Sequence, residues 1–467
     1  MVRGAALVTA ASGLFVVSGY AVNVWLGRLL GPADYGRFGV VLALITIINV
    51  FQNASVPQAV ARYTASHPHG AAALLRRGLL LQLGIGAALG IALAAAASLI
   101  AAALGDDALT AALRAAAFIV PPYGVYALLV AYHNGRRDYT RQAGSQAAYA
   151  IGKAVAVIAL AYPLRLIGAI FGYVVAAVIG CVVAAVRPVG GEPSVGIWPL
   201  LRLAAPLSVY ALASVAQISV DILFVKALGV NDADAGLYAA AQNIARIPYF
   251  LMSGMAVLVL PALAGMLRDG RQARAGTARQ ALRIAVLAAV PISAIVAGSS
   301  RGALDLLYGS TYASGSAALS ILAVGMAALA VASVAAGALS GTGHPGWSAT
   351  SAGLGFGVAI IGCAILVSAL GPVGGAIATC ASTAVTLTLL LARLESSLPG
   401  ALPWASILRV TAISAAVGVG LAVLDARGLA LIGAYLVASL IGVGLLIISG
   451  EVGRADLNRL QTGFRRR

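Results

Sequence analysis

Charged side chains are scarce in this sequence, and acidic ones are the scarcest. Asp, Glu, Lys and Arg make up 9% of the 467 residues, with 14 acids against 30 bases, while apolar types make up 61%. A soluble domain carries roughly 25% charged residues, so this composition excludes an ordinary soluble fold. Apolar runs of about 20 residues recur along the chain, which indicates a polytopic membrane protein.

Cysteine and histidine are few, and their spacing matches no metal-binding motif beyond a weak HPH signal at residues 67–69. The three cysteines lie inside predicted membrane spans and are interpreted as packing residues. They are Cys181, Cys363 and Cys380. The histidines fall in predicted loops, where we expect them to be solvated. They are His67, His69, His133 and His344. The sequence contains no P-loop and no HExxH motif. We therefore predict no metal, no cofactor and no catalytic residue, and we expect that the protein is not an enzyme.

Hydrophobic windows predict about fourteen transmembrane helices joined by short loops, an all-α polytopic membrane fold. Most of the 30 Lys and Arg residues fall in one set of alternate loops, and such loops face the cytoplasm. Both termini are accordingly predicted to be cytoplasmic. This distribution, together with attraction to anionic lipid headgroups, accounts for the net charge of +16. We therefore expect membrane lipids as partners and no nucleic acid.

One segment of the sequence occurs in two similar copies that start 198 residues apart. The first copy, NVWLGRLLGPADYGRFGV, starts at Asn23, and the second, DILFVKALGVNDADAGLY, starts at Asp221. Further along, Gly135 matches Gly343 at an offset of 208, and the GAI motif that begins at Gly168 recurs at an offset of 207. The chain therefore contains an internal repeat.

Each copy of the repeat holds six predicted helices, so the two copies share one orientation and form pseudo-symmetric six-helix bundles. We assign residues 1–190 to the N-terminal bundle and residues 198–395 to the C-terminal bundle. Residues 400–467 supply two additional C-terminal helices and a basic cytoplasmic tail. Parallel repeats of this kind can rock and open a central cavity to each side in turn.

Three segments resemble a known family. They are LGPADYGRFGVVLALITIINVFQNASVPQAVARY, SVDILFVKALGVNDADAGLYAAAQNIARIPYFLMSGMAVLVLPALA and ALDLLYGSTYASGSAALSILAVG. In order and spacing they resemble the polysaccharide-transport branch of the multidrug/oligosaccharidyl-lipid/polysaccharide exporter superfamily. The resemblance implies a flippase of the bacterial cytoplasmic (inner) membrane that moves a polyprenyl-diphosphate-linked oligosaccharide to the outer leaflet. The implied partners are this lipid-linked substrate and the polymerases and glycosyltransferases of surface polysaccharide assembly.

Polar residues inside the spans are the candidates for substrate binding, because an unpaired diphosphate cannot enter hydrocarbon. Lys153 lies near the middle of a predicted span, and Tyr149 precedes it by one turn. We interpret both as contacts for the diphosphate or its sugars. The alternative for Lys153 is a structural lysine bonded to backbone carbonyls.

Two other polar groups have helical spacing. Gln242, Asn243 and Arg246 fall on one stripe, where a guanidinium suits phosphate and amides suit sugar hydroxyls. The other group combines three amides, with interhelical hydrogen bonding as the alternative to sugar binding. Its members are Asn49, Gln52 and Asn53.

Asp221 is the only acid placed well inside a predicted span. It is a candidate for binding a coupling proton or sodium ion, and the alternative is a structural partner for a buried cation. Arg28 and Lys226 lie near the outer ends of their spans and are interpreted as interfacial anchors.

Three alternative functions stay open. A multidrug exporter of the same superfamily usually needs buried carboxylates for its cationic substrates, whereas this chain offers mainly cations and amides. A lipid II flippase is a nearer alternative. A polytopic glycosyltransferase or ligase would need a carboxylate or His in an outer loop, where Asp106 and Asp107 are among the few acids.

Overall fold

The computed structural model of the chain consists of helices joined by short turns, with no strand among its described residues. Those residues are 2–54, 56–66, 71–186, 209, 211–229, 231–252, 259, 263 and 270–451. The chain divides into two compact units, Met1–Ala239 and Ala240–Arg467. The predicted bundle boundary at 190–198 and the predicted basic tail after Glu451 lie outside the described residues, as do His67 and His69.

Eight helices with defined bounds begin in the first unit, and helical residues 211–217 precede the seventh. They are α1 (Val2–Ala54), α2 (Val56–Ser66), α3 (Ala71–Ala103), α4 (Leu109–Ala117), α5 (Val120–Gly135), α6 (Tyr139–Ala184), α7 (Val220–Leu228) and α8 (Asp234–Ala245). The described helices that follow belong to the second unit, with a 3₁₀ turn at Ser310–Gly315. They are α9 (Arg271–Gly298), α10 (Ser300–Tyr308), α11 (Ser316–Gly341), α12 (Pro345–Ser397), α13 (Trp404–Leu424) and α14 (Leu429–Ile448).

Ten helical segments of the described chain are long and apolar enough to cross a membrane. Three of the ten contain a residue that breaks the helix, namely Gly31 in α1, Arg165 in α6 and Gly371 in α12. At roughly 20 residues per crossing, each broken helix is long enough for two crossings. By length, the ten segments have room for thirteen crossings. Much of the predicted span at 236–264 lies outside the described residues, so the total of fourteen stays a prediction, while the multi-pass all-α fold is confirmed.

Apolar side chains point outward as well as inward. Leu80, Ile91 and Leu99 on α3 are each more than half exposed, and α14 is apolar on its exposed faces as well. Such surfaces are stable against lipid tails and would be a liability in water. In the interior, α11 packs against α9 and α12 through mainly Ala, Leu and Gly side chains, which lets the backbones approach closely.

The internal repeat is visible in the backbone. Arg165 (φ 50°, ψ −127°) and Gly371 (φ 54°, ψ −134°) break α6 and α12 with the same left-handed conformation. Three residues later, a Cβ built at Gly168 or at Gly374 would overlap the carbonyl oxygen eight residues earlier in the chain. Both pairs are 206 residues apart, so the breaks occupy equivalent positions of the repeat.

The turns before α6 and α12 are related by the same offset between equivalent residues. Arg137 (φ 58°) and Gly343 (φ 92°), again 206 residues apart, both have positive φ. In each turn the next residue donates its N–H to the carbonyl five residues earlier, at 2.9 and 3.1 Å. The predicted offsets of 208 from Gly135 and 207 from the GAI motif at Gly168 are therefore wrong by two residues and by one. The match of Gly135 with Gly343 failed because the turn position that Gly343 occupies in the second copy is occupied by Arg137 in the first.

The close approach at the two breaks predicts a stability effect. Gly168→Ala and Gly374→Ala should each lower the thermal unfolding temperature in detergent, because the new methyl group overlaps a backbone oxygen, at a cost of about 1–3 kcal/mol. Gly84→Ala is the matched control, since nothing lies within 4 Å of a Cβ built there in α3. Unfolding of either variant at the temperature of Gly84→Ala would contradict the close packing.

Candidate functional site

Lys153 is a buried cation surrounded by aromatic rings. It lies in the first half of α6, which packs against α1 and α5, and only 4% of the residue is exposed. Its Nζ lies 4.8 Å from the ring centroid of Phe15 and 5.9 Å from that of Tyr173. Gly19 leaves room for this approach, because a Cβ there would lie 3.3 Å from Nζ. Ring faces carry negative potential and attract the ammonium.

Lys153 has no carboxylate partner within the described part of the chain. None of the ion pairs found there includes this residue, and no described backbone carbonyl accepts a hydrogen bond from it. A buried ammonium without a counter-ion is costly, since most buried charges are paired. The structural alternative, a lysine bonded to carbonyls, therefore has no contact to support it among these residues.

Tyr149 lies one turn before Lys153 and is the centre of an aromatic cluster. Its ring stacks on Phe15 of α1 at 5.5 Å and on Tyr126 of α5 at 4.8 Å, and Tyr123 meets it edge-on at 6.3 Å. Only 3% of Tyr149 is exposed. The structure therefore places Tyr149 inside an aromatic cluster formed by Phe15, Tyr123, Tyr126 and Tyr149. Lys153 lies beside this cluster, over the Phe15 ring.

Gln52 takes part in a buried amide network between α1, α3 and α5. Its Nε2 donates to the Val120 carbonyl at 3.0 Å, and Nε2 of Gln82 donates to its Oε1 at 3.1 Å. Both glutamines are fully buried. Gly124 makes room for the network, because a Cβ there would overlap Oε1 of Gln52. These contacts are those of the interhelical alternative, and substrate binding by Gln52 stays a prediction.

The other two amides of this group face different surroundings. Asn53 is exposed, whereas Asn49 is half-buried. Its Oδ1 is inaccessible to solvent and accepts no hydrogen bond from the described residues. A buried amide oxygen without a donor is uncommon and marks a place where an additional donor would be favourable. The structure thus separates Asn49, Gln52 and Asn53 instead of directing them to one point.

The polar residues predicted to form a stripe on α8 are buried or half-buried. Gln242 is 5% exposed, and Nδ2 of Asn243 donates to the hydroxyl of Tyr308 in α10 at 2.6 Å. Arg246 follows the end of α8, half-buried, and its backbone N–H donates to the carbonyl of Gln242 at 3.2 Å. The three residues occupy neighbouring turns, as their spacing predicted, and their role in binding stays a prediction.

Asp221 is fully buried near the start of α7. Its Oδ2 accepts a hydrogen bond from the hydroxyl of Tyr238 at 2.7 Å, and its Oδ1 accepts one from the backbone N–H of Ile222 at 2.9 Å. Hydrogen bonds of this kind stabilise a carboxylate out of water. The structure confirms neither a structural role nor an ion-coupling role for this carboxylate.

A buried ionic cluster was missed in the sequence. Oδ2 of Asp106 lies 2.8 Å from Nε of Arg37 and 2.7 Å from Nζ of Lys226, and the Asp106 and Lys226 side chains are each 6% exposed. Burial alone would raise the pKa of Asp106, but the hydrogen bonds from Arg37 and Lys226 outweigh it and lower that pKa below its ordinary value. The interpretation of Lys226 as an interfacial anchor is therefore wrong.

Residues 106 and 226 are too far apart in sequence for any local spacing to signal their pairing.

Two further buried groups were also missed. The expected solvation of His133 is wrong, because the end of α6 covers it and its Nε2 lies 2.9 Å from the Ala184 carbonyl oxygen. Glu451 is 4% exposed and pairs with Arg283 of α9 at 3.5 Å and Arg409 of α13 at 3.3 Å.

The amide network predicts how Gln52 and Asn53 differ. Gln52→Leu should lower the thermal unfolding temperature, because Gln82 and the Val120 carbonyl lose a partner at a cost of about 1–3 kcal/mol. Asn53→Ala, at an exposed position of the same helix, should leave it unchanged. If both variants unfold like the unmodified protein, the network contributes nothing to stability and the structural reading of Gln52 is wrong.

Three solved structures have a similar fold. The lipid II flippase MurJ, in an inward closed conformation, matches with a TM-score of 0.78 at 15% identity, over 97% of this chain and 99% of that chain. An inward-facing multidrug resistance MATE family transporter of the MOP superfamily matches with a TM-score of 0.69 at 14% identity, over 82% of this chain and 95% of that chain. A MOP superfamily transporter from Pyrococcus furiosus is described as having a binding pocket of reverse polarity. It matches with a TM-score of 0.61 at 15% identity, over 85% of this chain and 95% of that chain.

At such identities these similarities establish the fold alone. A comparison with curated proteins found no match. The family described as "Polysaccharide biosynthesis protein" matches residues 25–317, which is more than half of the chain. The matched region extends from α1 into the start of α11 and includes Lys153, Asp221 and Arg246. This chain therefore belongs to the polysaccharide biosynthesis protein family.

Proposed function

We propose that this protein is a flippase that moves a polyprenyl-diphosphate-linked oligosaccharide from the cytoplasmic to the outer leaflet of the bacterial cytoplasmic membrane. Family membership supports the link to polysaccharide biosynthesis, and the fold shared with a lipid II flippase and with MATE transporters supports transport. Both termini would lie in the cytoplasm. Polymerases and glycosyltransferases that act on the flipped oligosaccharide are the expected partner machinery.

The observation that carries this proposal is the buried Lys153, which has no carboxylate partner among the described residues. A diphosphate has two phosphate groups whose charge must be matched inside the membrane, because an unpaired charge is prohibitively costly in a low dielectric. An ammonium to which the described part of the chain offers no counter-ion is suited to accept that charge. The neighbouring tyrosines offer apolar ring faces and hydroxyl groups, and both are suited to sugars.

The same observation argues against an organic cation as substrate. A cation that approached Lys153 would be repelled, and aromatic faces that attract cations are already occupied by the ammonium. Of the acids named for a glycosyltransferase, Asp106 is engaged by two cations and is not free to act as a general base. Transport of an anionic lipid-linked sugar is therefore the function that these residues support best.

Alternating access is the proposed mechanism. The repeat places equivalent breaks in α6 and α12, and a chain built from two such copies can adopt two related conformations. In the present conformation Phe15 and Tyr173 cover the ammonium of Lys153, so substrate binding would require these rings to move aside.

The function is tested by deleting the protein from its source organism and measuring lipid-linked oligosaccharides by mass spectrometry, together with surface glycan. We expect one polyprenyl-linked oligosaccharide to accumulate on the cytoplasmic side while its surface polymer is lost. Accumulation of lipid II instead would identify the peptidoglycan precursor as cargo. Unchanged lipid-linked sugars with new sensitivity to cationic drugs would overturn the proposal in favour of multidrug export.

Replacement of Lys153 should affect export without affecting protein level. Lys153→Gln should reduce surface glycan about tenfold or more, because a charge-assisted contact contributes about 1.5–3 kcal/mol, whereas Lys153→Arg should retain much of it. Arg114→Gln, at an exposed basic position of α4, is the control. Normal glycan in a Lys153→Gln, Arg246→Gln double variant would remove both residues from the site.

A separate test concerns ion coupling at Asp221. Asp221→Asn keeps oxygen and nitrogen atoms where Tyr238 and Ile222 bind, yet it cannot take up a proton at neutral pH. If Asp221 binds the coupling ion, flipping in proteoliposomes should no longer respond to an imposed proton or sodium gradient. Asp107→Asn, at an exposed acid, should respond normally. A full gradient response in Asp221→Asn would argue against coupling there.

A further inference from the structure

Asp106 is held in place by the loop between α3 and α4. Gly105 turns the chain with a positive φ of 66°, and Oδ1 of Asp106 accepts the backbone N–H of Ala108 at 3.1 Å. The other oxygen, Oδ2, is directed at two cations, Nε of Arg37 at 2.8 Å and Nζ of Lys226 at 2.7 Å. Since the loop fixes the position of the Asp106 carboxylate, the ion pairs form only when Arg37 and Lys226 are placed next to it.

Two exposed acids complete the group. Nη1 of Arg37 lies 2.8 Å from Oδ1 of Asp34, and Nζ of Lys226 lies 3.5 Å from Oδ1 of Asp232. We refer to Arg37, Asp34, Asp106, Lys226 and Asp232 as the Asp106 cluster. Its centre is buried and its rim is exposed, so the attraction between its charges is strongest at Asp106 and is screened at the rim.

The cluster joins the two copies of the sequence repeat. Arg37 and Asp106 belong to the first copy, whereas Lys226 belongs to the second. Its helix, α7, packs against α1 in the first compact unit. Close by, a Cβ at Gly36 would lie 2.7 Å from the backbone nitrogen of Gly236, and a Cβ at Gly236 would overlap the Pro32 carbonyl. Gly36 lies in the first copy of the repeated segment and Gly236 in the second, so the two copies meet here backbone to backbone.

A buried cluster of this kind is poorly explained as a means of raising stability. Taking charges out of water offsets most of their attraction, and well-packed apolar residues often stabilise a protein as well or better. Removing one member, however, leaves the others buried and unpaired, which is strongly unfavourable. The cluster is therefore either complete or disrupted, and this property suits a contact that forms and breaks as a unit.

We propose that the Asp106 cluster is an ionic latch that closes the outer side of this transporter by tying α7 to α1 and to the α3–α4 loop. The inference rests on the proposed alternating access and on the predicted orientation, which places Arg37, Asp106 and Lys226 on the external side. In this closed conformation Asp106 pairs with both cations, and Asp34 and Asp232 supply further negative charge. When the outer side opens, Lys226 leaves Asp106, and water and Asp232 take over its charge.

The test measures access to a reporter cysteine one turn deeper than Lys226. Ile222 is 1% exposed and lies against α1, where a Cβ at Gly39 would be 2.8 Å from its Cδ1. Ile222→Cys is introduced into a chain whose three native cysteines are replaced by serine, and intact cells are treated with a membrane-impermeant maleimide. Labelling of Cys at 222 then reports opening of the outer side.

Asp106→Asn should raise the labelling rate by about tenfold or more, because loss of the buried anion shifts the population towards the open conformation. Asp107→Asn, at the exposed neighbouring position, should leave the rate unchanged. Lys226→Met should raise the rate as Asp106→Asn does, and Lys226→Arg should keep it low because the positive charge is retained. Equal rates in Asp106→Asn, Lys226→Met and Asp107→Asn would overturn the latch.

The labelling experiment separates the latch from the proposed cargo. It requires no substrate, so a wrong assignment of the lipid-linked oligosaccharide would leave its outcome unchanged. If Asp106→Asn fails to reach the membrane, the comparison of Lys226→Met with Lys226→Arg still decides the question, because the Arg37–Asp106 pair remains in both. Rapid labelling of Lys226→Arg together with slow labelling of Lys226→Met would also contradict the latch.

Discussion

A charge inside a membrane protein is stable only when something compensates it, and the buried charges of this chain are arranged around that constraint. The described acids that are nearly or fully buried are Asp106, Asp221 and Glu451, and each accepts hydrogen bonds or pairs with cations. Because every such acid needs donors at fixed positions, few can be accommodated. The scarcity of acids in the sequence and the specificity of their contacts therefore have one physical cause.

The same constraint applies to the backbone where helices break. At the break in α1 the chain passes through Gly31 and Pro32, and the interrupted ladder leaves carbonyl groups to be satisfied. Nη1 of Arg165, the residue that breaks α6, donates to the carbonyl of Leu29 at 2.9 Å. One break thus supplies the donor that the other requires. The left-handed conformation of Arg165 costs free energy in a residue with a Cβ, and this contact helps to explain why an arginine occupies the position.

The membrane fold could be predicted from sequence because its signals are local. Length and apolarity of a span are read from consecutive residues, and the neighbourhood of Tyr149 and Lys153 follows from helical spacing alone. The pairing of Asp106 with Lys226 and of Gln52 with Gln82 could not be predicted, since each depends on which helices pack together. The repeat was visible, but its register was wrong beyond the first hairpin, because Arg137 and Gly343 share a backbone conformation and not a residue type.

Lys153 and Asp106 represent opposite solutions to the same constraint. Asp106 has two cations within 2.8 Å, so its environment is complete without a ligand. Lys153 has only ring faces among the described residues, so its charge is incompletely compensated. If a diphosphate binds there, as we propose, it completes the site while the protein alone completes the Asp106 cluster. A ligand shifts a conformational equilibrium only by the difference in its affinity for the two states. Substrate binding at Lys153 would therefore promote opening if the opened state holds the anion more tightly, and it would make that state the major one only if the difference exceeds the free energy lost when Lys226 leaves Asp106.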